Sequence, residues 1–169
     1  DTTRAASIME EKGAKAIVTL GGDGTNRATA LGTTNVPIMP ISTGTNNAFP
    51  VTIEGTLAGI CAASIAKGYV DREECAPNCR KLNISVDGVL SDVALVDVAV
   101  SDKRFIGSRA IWDTKSVSDL YMAKASPETI GLSSIGGFLS PLFESDEFGL
   151  HVVLNGEVTQ EVMAPVIPG

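Results

Sequence analysis

Apolar residues between Thr2 and Lys12 recur at helical spacing: Ala5, Ile8 and Met9 share one face, and Gly13 stands where a helix would end. Ala16 to Leu20 then forms a short, almost wholly apolar run, the pattern of a strand buried on both faces of a parallel sheet. A glycine-rich turn follows, and a short helix is predicted through Ala28 to Leu31. Pro37 to Ile41 reads as a second buried strand, and the polar loop Ser42 to Asn47 hands over to another helix. Leu57, Ile60, Cys61 and Ile65, spaced by three and four, mark the apolar face of that helix, and Gly68 ends it.

Beyond Gly68 the period shortens. Leu82, Ile84 and Val86 alternate with polar residues, Asp87-Gly88 supplies a hairpin turn, and a returning strand is predicted from Val93 to Val100. Ser116 to Ala125 reads as a short helix. Leu150 to Val158 repeats the hairpin signal around Asn155-Gly156. The pattern is that of an α/β fold with two lobes. A Rossmann-like parallel α/β lobe over residues 1–70 precedes a β-rich lobe over residues 71–169, with a boundary near Tyr69 to Asn78. Two parallel strands make a poor sheet and no strand leads into the first helix. The chain is therefore expected to be a piece of a longer one, with a further strand before Asp1 and more chain after Gly169.

Composition narrows the partners. Twenty acidic residues against thirteen basic ones give a net charge of −7, a surface that repels nucleic-acid backbones and anionic lipid. No apolar run approaches the roughly 20 residues that span a bilayer. The three cysteines form no disulfide framework, and Cys75 and Cys79 lack the further ligands of a zinc site, so no metal site is assigned and a reducing cytoplasm is expected. A homo-oligomer is expected.

The candidate chemistry gathers at two loops. Gly21-Gly22-Asp23-Gly24-Thr25 lies between a buried strand and a helix, where glycines let a ligand approach the backbone and the helix start presents N–H groups to an anion. Phosphate is the expected guest; a tight turn is the alternative reading. A carboxylate in a phosphate cradle opposes its guest, so Asp23 either anchors Mg²⁺ through water, or accepts a proton from an attacking hydroxyl, or closes its own turn. Parallel strands end at the same edge, which should bring Thr43, Gly44, Thr45, Asn46 and Asn47 beside the first loop, with groups suited to sugar or phosphate or to helix capping. Asp97 is the one charge in an apolar run and must be paired or face a cleft. His151 reads as a surface or packing residue, Trp112 and Tyr121 as core or interface. Arg27 is the nearest cation to the phosphate loops.

The two loops together, Gly21 to Thr25 and then Pro40-x-Ser42-Thr43-Gly44-Thr45-Asn46-Asn47, resemble the superfamily of NAD kinases and diacylglycerol and sphingosine kinases. Ser42 to Pro50, with Gly107 to Asp113, resembles its ATP-NAD kinase-like members of the AcoX type, linked with acetoin catabolism. The resemblance implies an α/β lobe, a β-rich lobe and a site between them. It also implies ATP with Mg²⁺ as phosphoryl donor, NAD or a related hydroxyl compound as acceptor, and Asp23 as the residue activating that hydroxyl. Gly21, Gly22, Gly24, Thr25 and residues 43–47 would hold the nucleotide phosphates. Ala94-Leu95-Val96-Asp97 matches the family's second signature at Asp97, the acceptor-binding candidate, but Val96 replaces its asparagine. Ser126-Pro127-Glu128-Thr129, with Gly136-Gly137 downstream, only faintly echoes a third, and its tyrosine is absent. Both departures touch acceptor recognition, so a nucleotide-binding sensor without catalysis stands as the alternative, with a lipid kinase third.

Overall fold

The computed structural model describes residues 1–103 and 114–166. The element order is α1 (Thr2–Glu11), β1 (Ile17–Gly21), α2 (Asp23–Gly32), β2 (Ile38–Ser42), α3 (Gly55–Lys67), α4 (Arg72–Cys75), β3 (Leu82–Val86), β4 (Val89–Ala94), β5 (Asp97–Ser101), β6 (Val117–Met122), α5 (Ser133–Leu139) and β7 (Leu150–Val153). This is a mixed α/β fold, with parallel pairing near the N-terminus and antiparallel pairing later, the NAD kinase-like arrangement. The chain divides into two compact units, Asp1–Cys79 with Ser91–Val93, and Arg80–Leu90 with Ala94–Gly169.

In the first unit β1 and β2 pair in parallel from Ile17↔Ile38 to Gly21↔Ser42. Asp1 caps α1 by accepting from the Arg4 N–H at 2.9 Å, and Gly13, at φ +79°, takes the left-handed turn that leads toward β1. Helix α1 lies against α2 so closely that a Cβ on Gly32 would sit 2.0 Å from the Thr3 carbonyl oxygen. Strand β1 is not buried on both faces as its composition predicts. Ile17, Thr19 and Gly21 are buried, whereas Val18 and Leu20 are 47% and 69% exposed. Helix α2 packs against β1, α1 packs on α2, and α3 touches β2. Helix α3 starts at Glu54, whose carboxylate accepts from the Leu57 N–H, and ends at Gly68 in the left-handed region. Its buried residues are Ala58 and Ala62, while Leu57, Ile60 and Cys61 are exposed, so the predicted apolar face is not the packed one. The small residues face inward.

In the second unit the order β5-β6-β7 forms an antiparallel sheet; β3 and β4 form a hairpin, of which Ser91–Val93 is counted with the first unit. Asp87 and Gly88 turn that hairpin with φ of 51° and 80°, as the Asp-Gly signal predicts. The expected strand from Val93 to Val100 is two strands, because the chain bends at Leu95-Val96 and Asp97 opens β5. The helix expected over Ser116 to Ala125 is instead the strand β6. Val117 and Leu120, three apart, fit a helical face, whereas Leu120 and Met122 alternate as in a strand, and pairing with β5 on one side and β7 on the other decides for the strand. The expected hairpin at Leu150 to Val158 is the single strand β7, whose partner is β6. Beneath the sheet, Val117, Leu120, Met122, Ala125, Ile135 and Leu142 form the core, capped by α5, a helix the sequence pattern did not predict. Gly137 lets α5 pack on the chain: a Cβ there would lie 2.2 Å from the Ser126 carbonyl carbon. Among the described residues no helix is long and apolar enough to cross a membrane.

Candidate functional site

The register Gly21↔Ser42 brings both polar loops out of the first unit's sheet side by side. The Thr43 N–H donates to the Gly21 carbonyl at 3.4 Å, joining them at their root. Gly22 is the N-cap of α2 in extended backbone with no side-chain cap. The first-turn N–H groups, at Asp23, Gly24 and Thr25, are those a helix leaves without intrahelical acceptors.

Asp23 does not close its own turn. Its carboxylate accepts from the Ala48 N–H at 3.2 and 3.1 Å and from the Phe49 N–H at 2.8 Å. The start of α2 is thereby bound to the far end of the second loop, more than twenty residues on. Asn47 works inside the same junction: its Nδ2 donates to Ser42 Oγ at 2.8 Å, and Ser42 Oγ donates to the Gly44 carbonyl at 2.9 Å. Two of the glycines are required by this packing. A Cβ on Gly21 would meet Thr25 Oγ1 at 2.4 Å, and one on Gly22 would meet Asn47 Oδ1 at 2.6 Å. Gly24 differs: it is exposed, and nothing lies within 4 Å of where its Cβ would be.

A buried residue supports the first loop from below. Asn26, fully buried, accepts from Thr19 Oγ1 at 2.6 Å and donates from Nδ2 to the Gly22 carbonyl at 2.9 Å. Sequence reasoning passed over Asn26; an amide one turn beyond Gly22 on a helix packed against β1 was the available signal. By contrast Thr43, Gly44, Thr45 and Asn46 are exposed, and the side chains of Thr43, Thr45 and Asn46 make no hydrogen bond to a described residue. The loops thus divide into a locked interior (Asp23, Asn26, Ser42, Asn47) and an outward set of hydroxyl, amide and helix-start N–H donors suited to an anion. Arg27 is paired with the Asp92 carboxylate in an exposed salt bridge, so its guanidinium already has an acidic partner. Among the described residues no three His, Cys, Asp or Glu side chains gather as a metal site.

The remaining candidates lie in the second unit. Asp97 is half-buried at the start of β5 opposite Met122. Ser126 to Thr129 form a turn in which Thr129 Oγ1 donates to the Ser126 carbonyl at 2.8 Å. Gly136 is held close against Met122, so it and Gly137 serve the packing of α5. His151 Nε2 lies 2.9 Å from Asp119 Oδ1, and its ring stacks on Tyr121 with centroids 4.3 Å apart and planes 4° apart. Tyr121, read from sequence as core or interface, lies on the sheet surface at 42% exposure. Asp119 is held below its ordinary value by a hydrogen bond from the Ser118 hydroxyl and then by His151. Gly107 to Asp113, with Trp112, lies outside the described residues.

Residues 1–69 match the ATP-NAD kinase N-terminal domain family, and residues 80–169 match the acetoin catabolism protein X C-terminal domain family. A Cupriavidus necator protein named acetoin catabolism protein X is 41% identical over 175 aligned residues, covering all of this chain and 49% of the relative. The chain therefore spans about half the length of that relative. No solved structure matches.

Proposed function

The chain belongs to the acetoin catabolism protein X family, with an ATP-NAD kinase N-terminal domain in its first 69 residues, and from that premise we propose that it is an ATP-dependent phosphotransferase acting on a hydroxyl of NAD or a related acceptor. The observation that carries the reading is the pair of loops leaving Gly21 and Ser42 side by side, internally braced and lined outward by uncommitted donors. Gly24, Thr25, Thr43, Thr45 and Asn46 would hold phosphates, with Gly21, Gly22, Gly44 and Asn47 shaping the backbone that does so. Those donors fit a phosphate chain. Mg²⁺ would come with the triphosphate and supply neutralisation of its charge.

In the proposed step, the Asp23 carboxylate takes the proton of the attacking hydroxyl as that oxygen bonds to the γ-phosphorus, and the bond to the leaving ADP oxygen breaks. Asp97 is the proposed acceptor-binding residue. A link to acetoin catabolism rests on the name of the Cupriavidus necator relative. A cytoplasmic setting and a homo-oligomeric state belong to the same proposal; light scattering on the eluting chain tests the second.

One observation favours a second reading, a nucleotide sensor without transfer. Asp23 and Arg27, the two charged side chains of this segment, are already engaged, one by backbone N–H groups and the other by Asp92. Incubation with Mg·ATP and NAD⁺, followed by assay for NADP⁺ and ADP, separates the two. Transfer expects both products from the native chain and neither from Asp23→Asn. Saturable nucleotide binding with no product from any hydroxyl acceptor tried would reject transfer in favour of the sensor.

A further inference from the structure

The opposite edge of the same sheet carries a cleft that the kinase reading does not use. Its volume is about 270 Å³, and it is lined by Glu10 and Gly13 at the end of α1, Ala14 and Lys15 before β1, Asn35 to Pro37 before β2, Ile65 of α3 and Arg72 of α4. Four separate segments therefore converge where the strands begin, whereas the phosphate loops lie where they end.

The electrostatics of the cleft run against those of the chain. The chain carries −7 overall, yet this cleft is lined by two cations and one carboxylate. The carboxylate is committed to structure. Glu10 accepts from Asn35 Nδ2 at 2.9 Å and from the Thr34 N–H at 3.3 Å, and hydrogen bonds from Thr33 and then Asn35 hold its pKa below the usual value, so it stays ionised and engaged. Arg72 donates from Nη2 to the Asn35 carbonyl, which seats the guanidinium at the cleft and leaves its other donors without a partner among the described residues. Lys15 is exposed and makes no hydrogen bond or ion pair to a described residue. The acids beside Arg72, Glu73 and Glu74, do not line the cleft. Val36, Pro37, Ile65 and Ala14 supply an apolar wall next to the cations.

We propose that this cleft binds a small organic carboxylate with a short apolar body, its carboxylate held by Lys15 and Arg72 and its body against Val36, Pro37 and Ile65. Pockets for drug-sized ligands start at about 300 Å³, so the cleft suits a small metabolite and not a nucleotide. An Arg fork beside a Lys matches a carboxylate's two oxygens. Because α4 and the Gly13 turn belong to different segments, the ligand would tie Arg72 to the start of β1, the strand that leads directly to Gly21.

The test is titration of the isotope-labelled 169-residue chain with isobutyrate and, separately, inorganic phosphate, following backbone amide shifts. The expected result is saturable isobutyrate binding that shifts residues 13–15, 35, 36 and 72, weakens as salt is added, and falls about tenfold in Lys15→Gln. Lys15 has no partner to lose, so that variant keeps its fold, which circular dichroism checks. Three results would overturn the proposal: no saturation at millimolar isobutyrate, affinity unchanged in Lys15→Gln, or shifts confined to residues 21–25 and 42–49. Phosphate that shifts residues 13–15, 35, 36 and 72 as strongly as isobutyrate does would also overturn it, since the apolar wall would then contribute nothing; phosphate shifts at residues 21–25 and 43–47 belong to the other site.

Discussion

Replacing Asp23 by Asn separates the brace from the charge. The substitution is isosteric, so the carbonyl oxygen of the new amide can still accept from the Phe49 N–H, at 2.8 Å in the native chain. The other oxygen becomes an NH₂ group facing the Ala48 N–H, which sits 3.1 Å away, and two donors then oppose each other. Hydrogen bonds to a charged acceptor contribute about 1.5–3 kcal/mol and neutral ones about 0.5–1.5 kcal/mol. Both bonds lose their charge and the Ala48 N–H keeps only its 3.2 Å contact with the retained oxygen, which at this half-buried site should destabilise the junction by about 1–2 kcal/mol. For a chain of this size each kcal/mol lowers the unfolding midpoint by about 2–4 °C. Thermal unfolding with amide exchange at Ala48 and Phe49 is the assay: the midpoint should fall and protection at those two amides should drop. Affinity for Mg·ATP should weaken by at most about 5- to 30-fold, because up to the same 1–2 kcal/mol then goes into ordering the loop on binding. An unchanged midpoint together with unchanged protection at Ala48 and Phe49 would refute the brace.

Asn26→Ala should destabilise by about 1–3 kcal/mol, since it leaves the buried Thr19 hydroxyl without its acceptor and takes one of two donors from the Gly22 carbonyl, which keeps the backbone N–H of residue 26; urea unfolding measures it, and an effect within error would show the network to be slack. Gly137→Ala should cost about 1–3 kcal/mol or more by forcing α5 off the Ser126–Pro127 segment. Gly59→Ala, in α3 with nothing within 4 Å of the added carbon, should instead stabilise by about 0.5–1 kcal/mol; opposite signs in paired melts are the check. Asp119 has a folded pKa below its usual 3.8, so its contribution is present above that value and is lost as pH falls through the folded one. Asp119→Asn should therefore flatten the acid limb of the stability curve below about pH 4; an unaltered acid limb would show that Ser118 and His151 do not hold the carboxylate in solution.

Legibility followed distance along the chain. The strand–glycine–helix sequence around Gly21 and the Asp87-Gly88 turn are local signals, and both elements form where the pattern places them. The adjacency of the two loops followed from parallel strands ending at one edge. What the pattern did not contain was partner choice. Val117 to Met122 satisfies two periods, and only its neighbours β5 and β7 select the strand. Helix α3 buries Ala58 and Ala62 rather than Leu57 and Ile60, because a packed surface selects residues by fit and not by hydrophobicity alone. Asp23 drew attention as a charge in a phosphate cradle, but its acceptor role toward Ala48 and Phe49 depends on loop closure, to which no local spacing points. Arg27 followed the same logic, since its partner Asp92 lies sixty-five residues away.

In the proposed function the outward donors of the paired loops receive nucleotide phosphates. Titration of the isotope-labelled chain with Mg·ATP, read residue by residue at the backbone amides, tests it most directly. Saturable binding is expected, with the largest shifts at Gly24, Thr25 and residues 43–46. Saturable binding that leaves those amides unmoved, or no binding by the folded chain, would contradict it and leave Gly21 to Thr25 as a packed turn.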